Sequence, residues 1–162
     1  MKYNLIIQEL KQSPDPNVRA FVKDAEKIQR LSPADRKYFL THIHDPDAVG
    51  KLINGYIPYI IRVAYAMSLN TNRVSILELI NEGIIGAYAA ILKYHQKGME
   101  MLRPLRMYVH LYMANLIYRE MCYQRGIAPN KYLIGRRRSE GSLRSENGQI
   151  PTQPFTHKFA RL

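Results

Sequence analysis

Residues 75–94, SILELINEGIIGAYAAILKY, and residues 104–124, PLRMYVHLYMANLIYREMCYQ, decide how this chain folds. In the first stretch apolar side chains recur every three or four residues, the period of one face of an α-helix. Ser75 stands three residues before Glu78, the spacing of a capping box. The serine hydroxyl accepts the N3 backbone N–H and the carboxylate reaches back to the serine N–H. Gly83 and Gly86 lie inside the apolar run. Each costs about 1 kcal/mol relative to alanine in a helix interior, so the pattern predicts close approach of another helix. In the second stretch Pro104 suits a first helical turn, where a missing N–H loses no helical bond. Val109, Met113, Leu116 and Ile117 form its apolar side. Tyr108, Tyr112, Asn115 and Arg119 form a separate stripe, flanked by Leu111 and Tyr118. Gly98 ends the first helix, and Gly126 with Pro129 stops the second.

Working outward, the rest of the body also reads as helix. Residues 48–67, AVGKLINGYIPYIIRVAYAM, carry helical apolar spacing behind an Asp45-Pro46-Asp47 start. Pro58 falls within that run and predicts a kink about one turn before it. Ser32-Pro33-x-Asp35 opens another helix, and Asn70-Thr71-Asn72 breaks the pattern before Ser75. A short helix before Lys11 and another over residues 17–31, NVRAFVKDAEKIQRL, precede these. No segment sustains period-two alternation. The expectation is an all-α fold, a compact bundle of about five to six helices with a flexible basic C-terminal tail. It divides into an N-terminal helical segment (1–30), a central helical domain (31–126) and a tail (127–162). The stretch SEGSLRSENGQIPTQP reads as a linker.

The chain has 162 residues, a net charge of +11 and 46% hydrophobic side chains, enough to pack a core of one domain. A single cysteine, Cys122, rules out a disulfide framework. No stretch is apolar enough for a signal peptide or a membrane span, so a soluble, cytoplasmic protein without a membrane partner is expected. The charge is uneven. From Arg125 onward eight basic residues face two acidic ones, whereas the first 124 residues are only mildly basic. Such a balance favours a polyanionic partner.

Enzyme signatures are absent: no phosphate-cradling glycine loop, nucleophile elbow or Cys-x-x-Cys occurs. The His42/His44 pair is spaced two apart, which does not share a helix face, and no metal or cofactor is called for. Two constellations carry more. Glu78 and Glu82, four apart with Asn81 beside them, present two carboxylates on one face, and a basic partner surface would offset their repulsion. The Tyr108–Arg119 stripe, beside Arg103 and Arg106, mixes aromatic faces, an amide and cations. Single-stranded nucleic acid is bound by that mixture, stacking contributing about 1–3 kcal/mol per base. Tyrosines at helical spacing also serve as plain core residues, and composition does not separate the two.

Together these segments resemble the second region of the bacterial sigma-70 family of transcription initiation factors. The resemblance runs from about Leu31 to Met121. It begins at RLSPADRKYFLTHIHDPDAVGKLINGYIPYIIRVAY. It continues through ELINEGIIGAYAAILKYHQKG, similar to the family's Asp-Leu-Ile-Gln-Glu-Gly-x-Ile-Gly pattern. It ends in LRMYVHLYMANLIYREM, similar to Phe-Ser-Thr-Tyr-Ala-Thr-Trp-Trp-Ile-Arg-Gln-Ala-Ile. The resemblance implies that Glu78, Asn81 and Glu82 contact the clamp helices of the largest subunit of core RNA polymerase. It places Tyr94 and His95 beside the pocket for a flipped adenine of the promoter −10 element, with Tyr108 as the stacking tyrosine. Leu111 and Tyr112 take the places of the tryptophan pair; Asn115, Tyr118 and Arg119 those at the upstream edge. Arg103 and Arg106 would hold the backbone of single-stranded non-template DNA.

The departures from the family are specific. Leu111 replaces a tryptophan, and Tyr56 stands where primary factors carry a base-binding asparagine. Only 41 residues follow Met121, too few for the third region and for the helix-turn-helix that reads the −35 element. The resemblance therefore implies a minimal factor, in plan like phage late-gene factors, acting in a bacterial cell and calling on a coactivator or on its tail. In the tail, Arg136, Arg137 and Arg138 could follow nucleic acid. Phe155, Phe159 and Leu162 form one apolar helical face, suited to docking on the polymerase flap or a sliding clamp. Two rivals stand beside the promoter-opening factor: a sigma-mimicking regulator that blocks the clamp, and a helical nucleic-acid-binding structural protein.

Overall fold

Side-chain caps at Asp15, Ser32, Asp45 and Ser75 set where four of the helices begin. In the computed structural model, which describes residues 2–129, six α-helices and one 3-10 segment make up the body, and no strand occurs among the described residues. The first helix, α1 (Tyr3–Lys11), buries Ile6, Ile7 and Leu10. The second, α2 (Pro16–Ala25), starts at Asp15, whose side chain accepts the Asn17 N–H at 2.8 Å. It ends six residues before Leu31, short of the expected helix, because the chain turns after Ala25 and Ile28 and Leu31 pack back on the core.

The third helix, α3 (Pro33–Thr41), carries the capping box of Ser32 and Asp35: Asp35 N–H to Ser32 Oγ at 3.0 Å and Ser32 N–H to Asp35 Oδ2 at 3.1 Å. Asp45 caps α4 (Pro46–Ser68) through the Asp47 N–H at 2.9 Å. This is the central helix, packed against α1, α3, α5 and α6, with Leu52, Ile60, Ile61 and Ala64 fully enclosed. It runs through Pro58 as one helix. The Asn54 carbonyl, which a proline N–H cannot serve, belongs to an exposed residue that water can reach.

The last two helices are α5 (Ile76–Tyr94), opened by the Ser75–Glu78 capping box, and α6 (Leu102–Gln124). Between them the 3-10 segment His95–Met101 reverses the chain through Gly98 at φ 55°, a conformation that glycine adopts without a Cβ clash. Helix α6 ends in a Schellman arrangement: Ile127 N–H reaches Cys122 O at 3.0 Å and Gly126, at φ 64°, reaches Tyr123 O at 3.0 Å. The Arg73 guanidinium donates to Gln124 Oε1, tying the start of α5 to the end of α6.

One apolar cluster runs through the whole body, from Ile6, Leu10, Val18 and Val22 through α4 to Leu79, Ile91, Leu105 and Met113. The N-terminal pair α1–α2 thus shares its core with the bundle. Among the described residues no helix is long and apolar enough to cross a membrane. Arg136, Arg137, Arg138, Phe155, Phe159 and Leu162, and the expected flexible tail beyond Pro129, lie outside the described residues.

Candidate nucleic-acid interface

The interface is built on the α5–α6 hairpin, and two glycines set its spacing. A Cβ on Gly86 would lie 2.7 Å from the Tyr108 carbonyl oxygen and 3.2 Å from Tyr112 Cβ. One on Gly83 would lie 2.2 Å from Met113 Cε and 2.8 Å from Ile60 Cγ2. The close approach expected from the glycine spacing is therefore present, and it presses the Tyr108–Tyr112 stretch of α6 onto the α5 backbone. Val109 and Met113 enter the core, fully enclosed, while Leu116 and Ile117 pack at its margin.

Along this seam the tyrosines form a row. Tyr94, at the end of α5, meets Tyr108 edge to face at 5.7 Å, and Tyr108 lies nearly parallel to Tyr112 at 6.2 Å. These are favourable aromatic geometries, and they fix the rings relative to one another. The Lys93 ammonium sits 5.5 Å from the Tyr94 centroid and 5.9 Å from that of Tyr108; Lys97 sits 5.4 Å from Tyr94. A hydrogen bond with Tyr108 raises the Lys93 pKa against the opposing effect of burial, so the cation persists well above neutral pH. Burial raises the Tyr108 pKa, a hydrogen bond with Tyr94 adds to it, and Lys93 opposes both. Burial likewise raises the Tyr112 pKa, helped by the Glu82 carboxylate. Tyr108 and Tyr112 are therefore neutral phenols under physiological conditions; all three rings are partly buried, with Lys93 and Lys97 beside them. Such a row can take the face of an unstacked base while the lysines meet its phosphates.

The two carboxylates have internal partners. Glu78 accepts the Ser75 N–H at 2.8 Å as the second half of the capping box. Glu82 Oε1 accepts from Arg119 Nη2 at 2.5 Å across the seam. Their mutual repulsion is therefore already offset within the fold, without an external basic surface. Glu78 and Asn81 face outward, and Ile85 and Leu92 continue that face as exposed apolar side chains. Arg119, grouped by spacing with the tyrosines, stays on their flank but spends its guanidinium on Glu82.

Arg106 departs from the others. It sits 5.6 Å from the ring of Tyr59 on α4, on the opposite flank of α6 from Tyr108. His110, one turn on, meets Tyr59 edge to face at 6.4 Å, and burial lowers its pKa. His95 opens the 3-10 segment, its Nδ1 3.0 Å from the Leu92 carbonyl. Arg103 is exposed, and Leu111, Asn115 and Tyr118 are partly buried along α6.

Reasoning from spacing alone passes over Lys93, Lys97, Tyr59 and Arg62. Signals for them exist: the Lys-Tyr-x-x-Lys run at 93–97 brackets a tyrosine with cations, and Tyr59-x-x-Arg62 is an i, i+3 aromatic–guanidinium pair. Comparison with protein-family models, with curated proteins and with solved structures finds nothing that matches this chain.

Proposed function

We propose that this chain is a sigma-like transcription initiation factor. It binds core RNA polymerase through the outward edge of α5, at Glu78, Asn81 and Glu82. It captures unstacked bases of an A·T-rich, −10-like promoter element on the α5–α6 seam, and it is not itself an enzyme. The observation that carries this reading is the row Tyr94–Tyr108–Tyr112 with Lys93 and Lys97 beside it. Aromatic faces held rigid among cations suit single-stranded bases better than an intact duplex, where stacking hides the faces. Extruding a base costs a few kcal/mol, least at flexible A·T steps, and stacking offsets it. The outward α5 face combines a carboxylate, an amide and the apolar Ile85 and Leu92, a composition suited to a basic helical partner.

Replacing Tyr112 by leucine tests the base-capture half. Leucine keeps a Cβ against Gly86 and an apolar bulk, so the fold survives, but it offers no ring face. Affinity for a single-stranded A·T-rich oligonucleotide, read by fluorescence anisotropy, falls by about 1–3 kcal/mol, roughly 5- to 150-fold. Capture by bacterial core polymerase stays unchanged. Unaltered oligonucleotide affinity returns Tyr112 to a purely structural role.

The internal partners of Glu78 and Glu82 favour a second reading: a helical single-strand-binding protein with no polymerase partner. In that case charge changes on α5 leave every functional assay except strand binding untouched. A regulator that occupies the clamp is distinguished by core binding without transcription.

A further inference from the structure

Between α2 and α3 the chain lies against the first half of α4 and leaves an open cleft of about 350 Å³ there. The half-buried Ile28, Leu31 and Phe39 supply its apolar wall, and the exposed Lys27, Lys51 and Asn54 its polar edge. Gly55 lets the linker come this close. A Cβ there would lie 2.5 Å from Leu31 Cδ1, so Leu31 seats against the bare backbone of α4.

The polar edge is cationic and uncompensated. No carboxylate lines the cleft. Lys51 forms no ion pair among the described residues, and its ammonium rests 5.9 Å from the centroid of Phe39. That cation–π contact holds the lysine over the apolar wall and leaves its N–H donors for an anion. Lys27 meets Asp24 at 2.8 Å, but both side chains are largely exposed, and an ion pair in water exchanges readily for another carboxylate. Asn54 adds an acceptor, because its carbonyl has no N–H four residues on where Pro58 stands.

This combination defines the occupant. The wall calls for apolar side chains and the two lysines for carboxylates. A nucleic-acid strand brings anions but little aliphatic surface. Small-molecule sites enclose about 70–90% of their ligand, whereas this cleft is open and has room for a few side chains carried by a larger body. Residues 130–162 of the chain itself hold seven basic residues and two acidic ones, the wrong sign for this edge.

We propose that the cleft docks a short acidic amphipathic helix of a protein partner. Its apolar face lies on Ile28, Leu31 and Phe39, and its carboxylates meet Lys51 and Lys27. The surface uses none of the residues assigned to promoter DNA or to polymerase, so it does not rest on that reading.

The test is a selection of random 12-residue peptides on the full chain, depleted against K27Q/K51E. Both lysines are exposed, so the variant keeps its core, as circular dichroism checks. The enriched peptides are expected to pair apolar residues three or four apart with at least two carboxylates. A synthetic peptide of the enriched sequence, read by fluorescence anisotropy, is expected to bind K27Q/K51E at least tenfold more weakly than the parent. A control of equal charge change on exposed lysines outside the cleft, K23Q/K37E, is expected to change affinity less than twofold. Replacing the peptide's apolar residues by serine, which leaves the protein untouched, is expected to cost at least tenfold as well. An empty selection, enriched peptides without carboxylates, or an equal loss in the control overturns the proposal. So does displacement of the peptide at micromolar concentration by oligo-dT or by a peptide of residues 130–162, because a strand or the tail would then be the occupant. A parent that dimerises while K27Q/K51E stays monomeric overturns it in favour of a second copy. No step uses core polymerase, so this proposal and the sigma-like reading fail separately.

Discussion

Gly86→Ala lowers the melting temperature by roughly 5 °C, although alanine is the better helix former by about 1 kcal/mol. The new Cβ would lie 2.7 Å from the Tyr108 carbonyl oxygen. That atom is backbone and cannot rotate away, so α6 as a whole must shift. Overpacking of this kind costs about 1–3 kcal/mol, more than the propensity gain returns. The shift also moves Tyr108 and Tyr112 relative to Tyr94, so single-strand affinity falls along with stability. Gly50 supplies the contrast. It lies in α4, exposed, with nothing within 4 Å of the place an added methyl would take, so Gly50→Ala raises the melting temperature by about 3 °C. Gly83→Ala is destabilising as well: the Met113 methyl is the movable end of a flexible side chain, but Ile60 Cγ2, 2.8 Å from the new Cβ, belongs to a branched and fully enclosed side chain. Differential scanning calorimetry of the three variants reads all of this. Equal effects at positions 50 and 86 would remove the close approach from the account.

Glu82→Gln separates the two surfaces of the α5–α6 hairpin. Glu82 and Arg119 meet at 2.5 Å at a partly exposed position, where an ion pair contributes no more than about 1 kcal/mol. The variant therefore stays folded. Its function changes in two directions. On the proposed reading core polymerase capture falls at least tenfold, because the carboxylate that would meet the clamp is gone. Affinity for single-stranded DNA rises several-fold at low salt, because Arg119 is released and a negative charge leaves the seam. The same pair implies that a basic partner drawing Glu82 away frees Arg119 for a phosphate. Reversing both charges, Glu82→Arg with Arg119→Glu, restores the internal pair and still abolishes core capture. Core capture equal to that of the parent in both variants would remove Glu82 from the polymerase contact, and no capture by the parent itself would leave only the single-strand-binding reading.

The helix starts are legible in the sequence because capping is local: Ser32 with Asp35, Asp45 before Pro46, and Ser75 with Glu78 all lie within four residues of sequence. The glycine pair is legible for a related reason, since two poor helix formers inside an apolar run need a tertiary cause. The end of α2 is not, because no glycine or proline marks Ala25, and packing of Ile28 and Leu31 decides it. Nor is the fate of Glu82, whose partner lies 37 residues away. Spacing groups residues on one helix but does not say which neighbour each flank meets. It therefore sets Arg106 beside Tyr108, whereas α4 draws it to Tyr59 on the other flank. The cations of the row come from α5 and the 3-10 segment: Lys97 lies over Tyr94, and Lys93 meets Tyr108 as well only because Gly98 turns the chain back.

Run-off transcription with bacterial core RNA polymerase tests the central claim most directly. Linear A·T-rich templates are transcribed with core alone, with core and this chain, and with core and the Tyr112→Leu variant, and the start sites are mapped. The account predicts starts that appear only with the parent chain, each a fixed distance downstream of a shared −10-like element, and that fade with the variant. Core that gains neither this chain nor any new start site would contradict it.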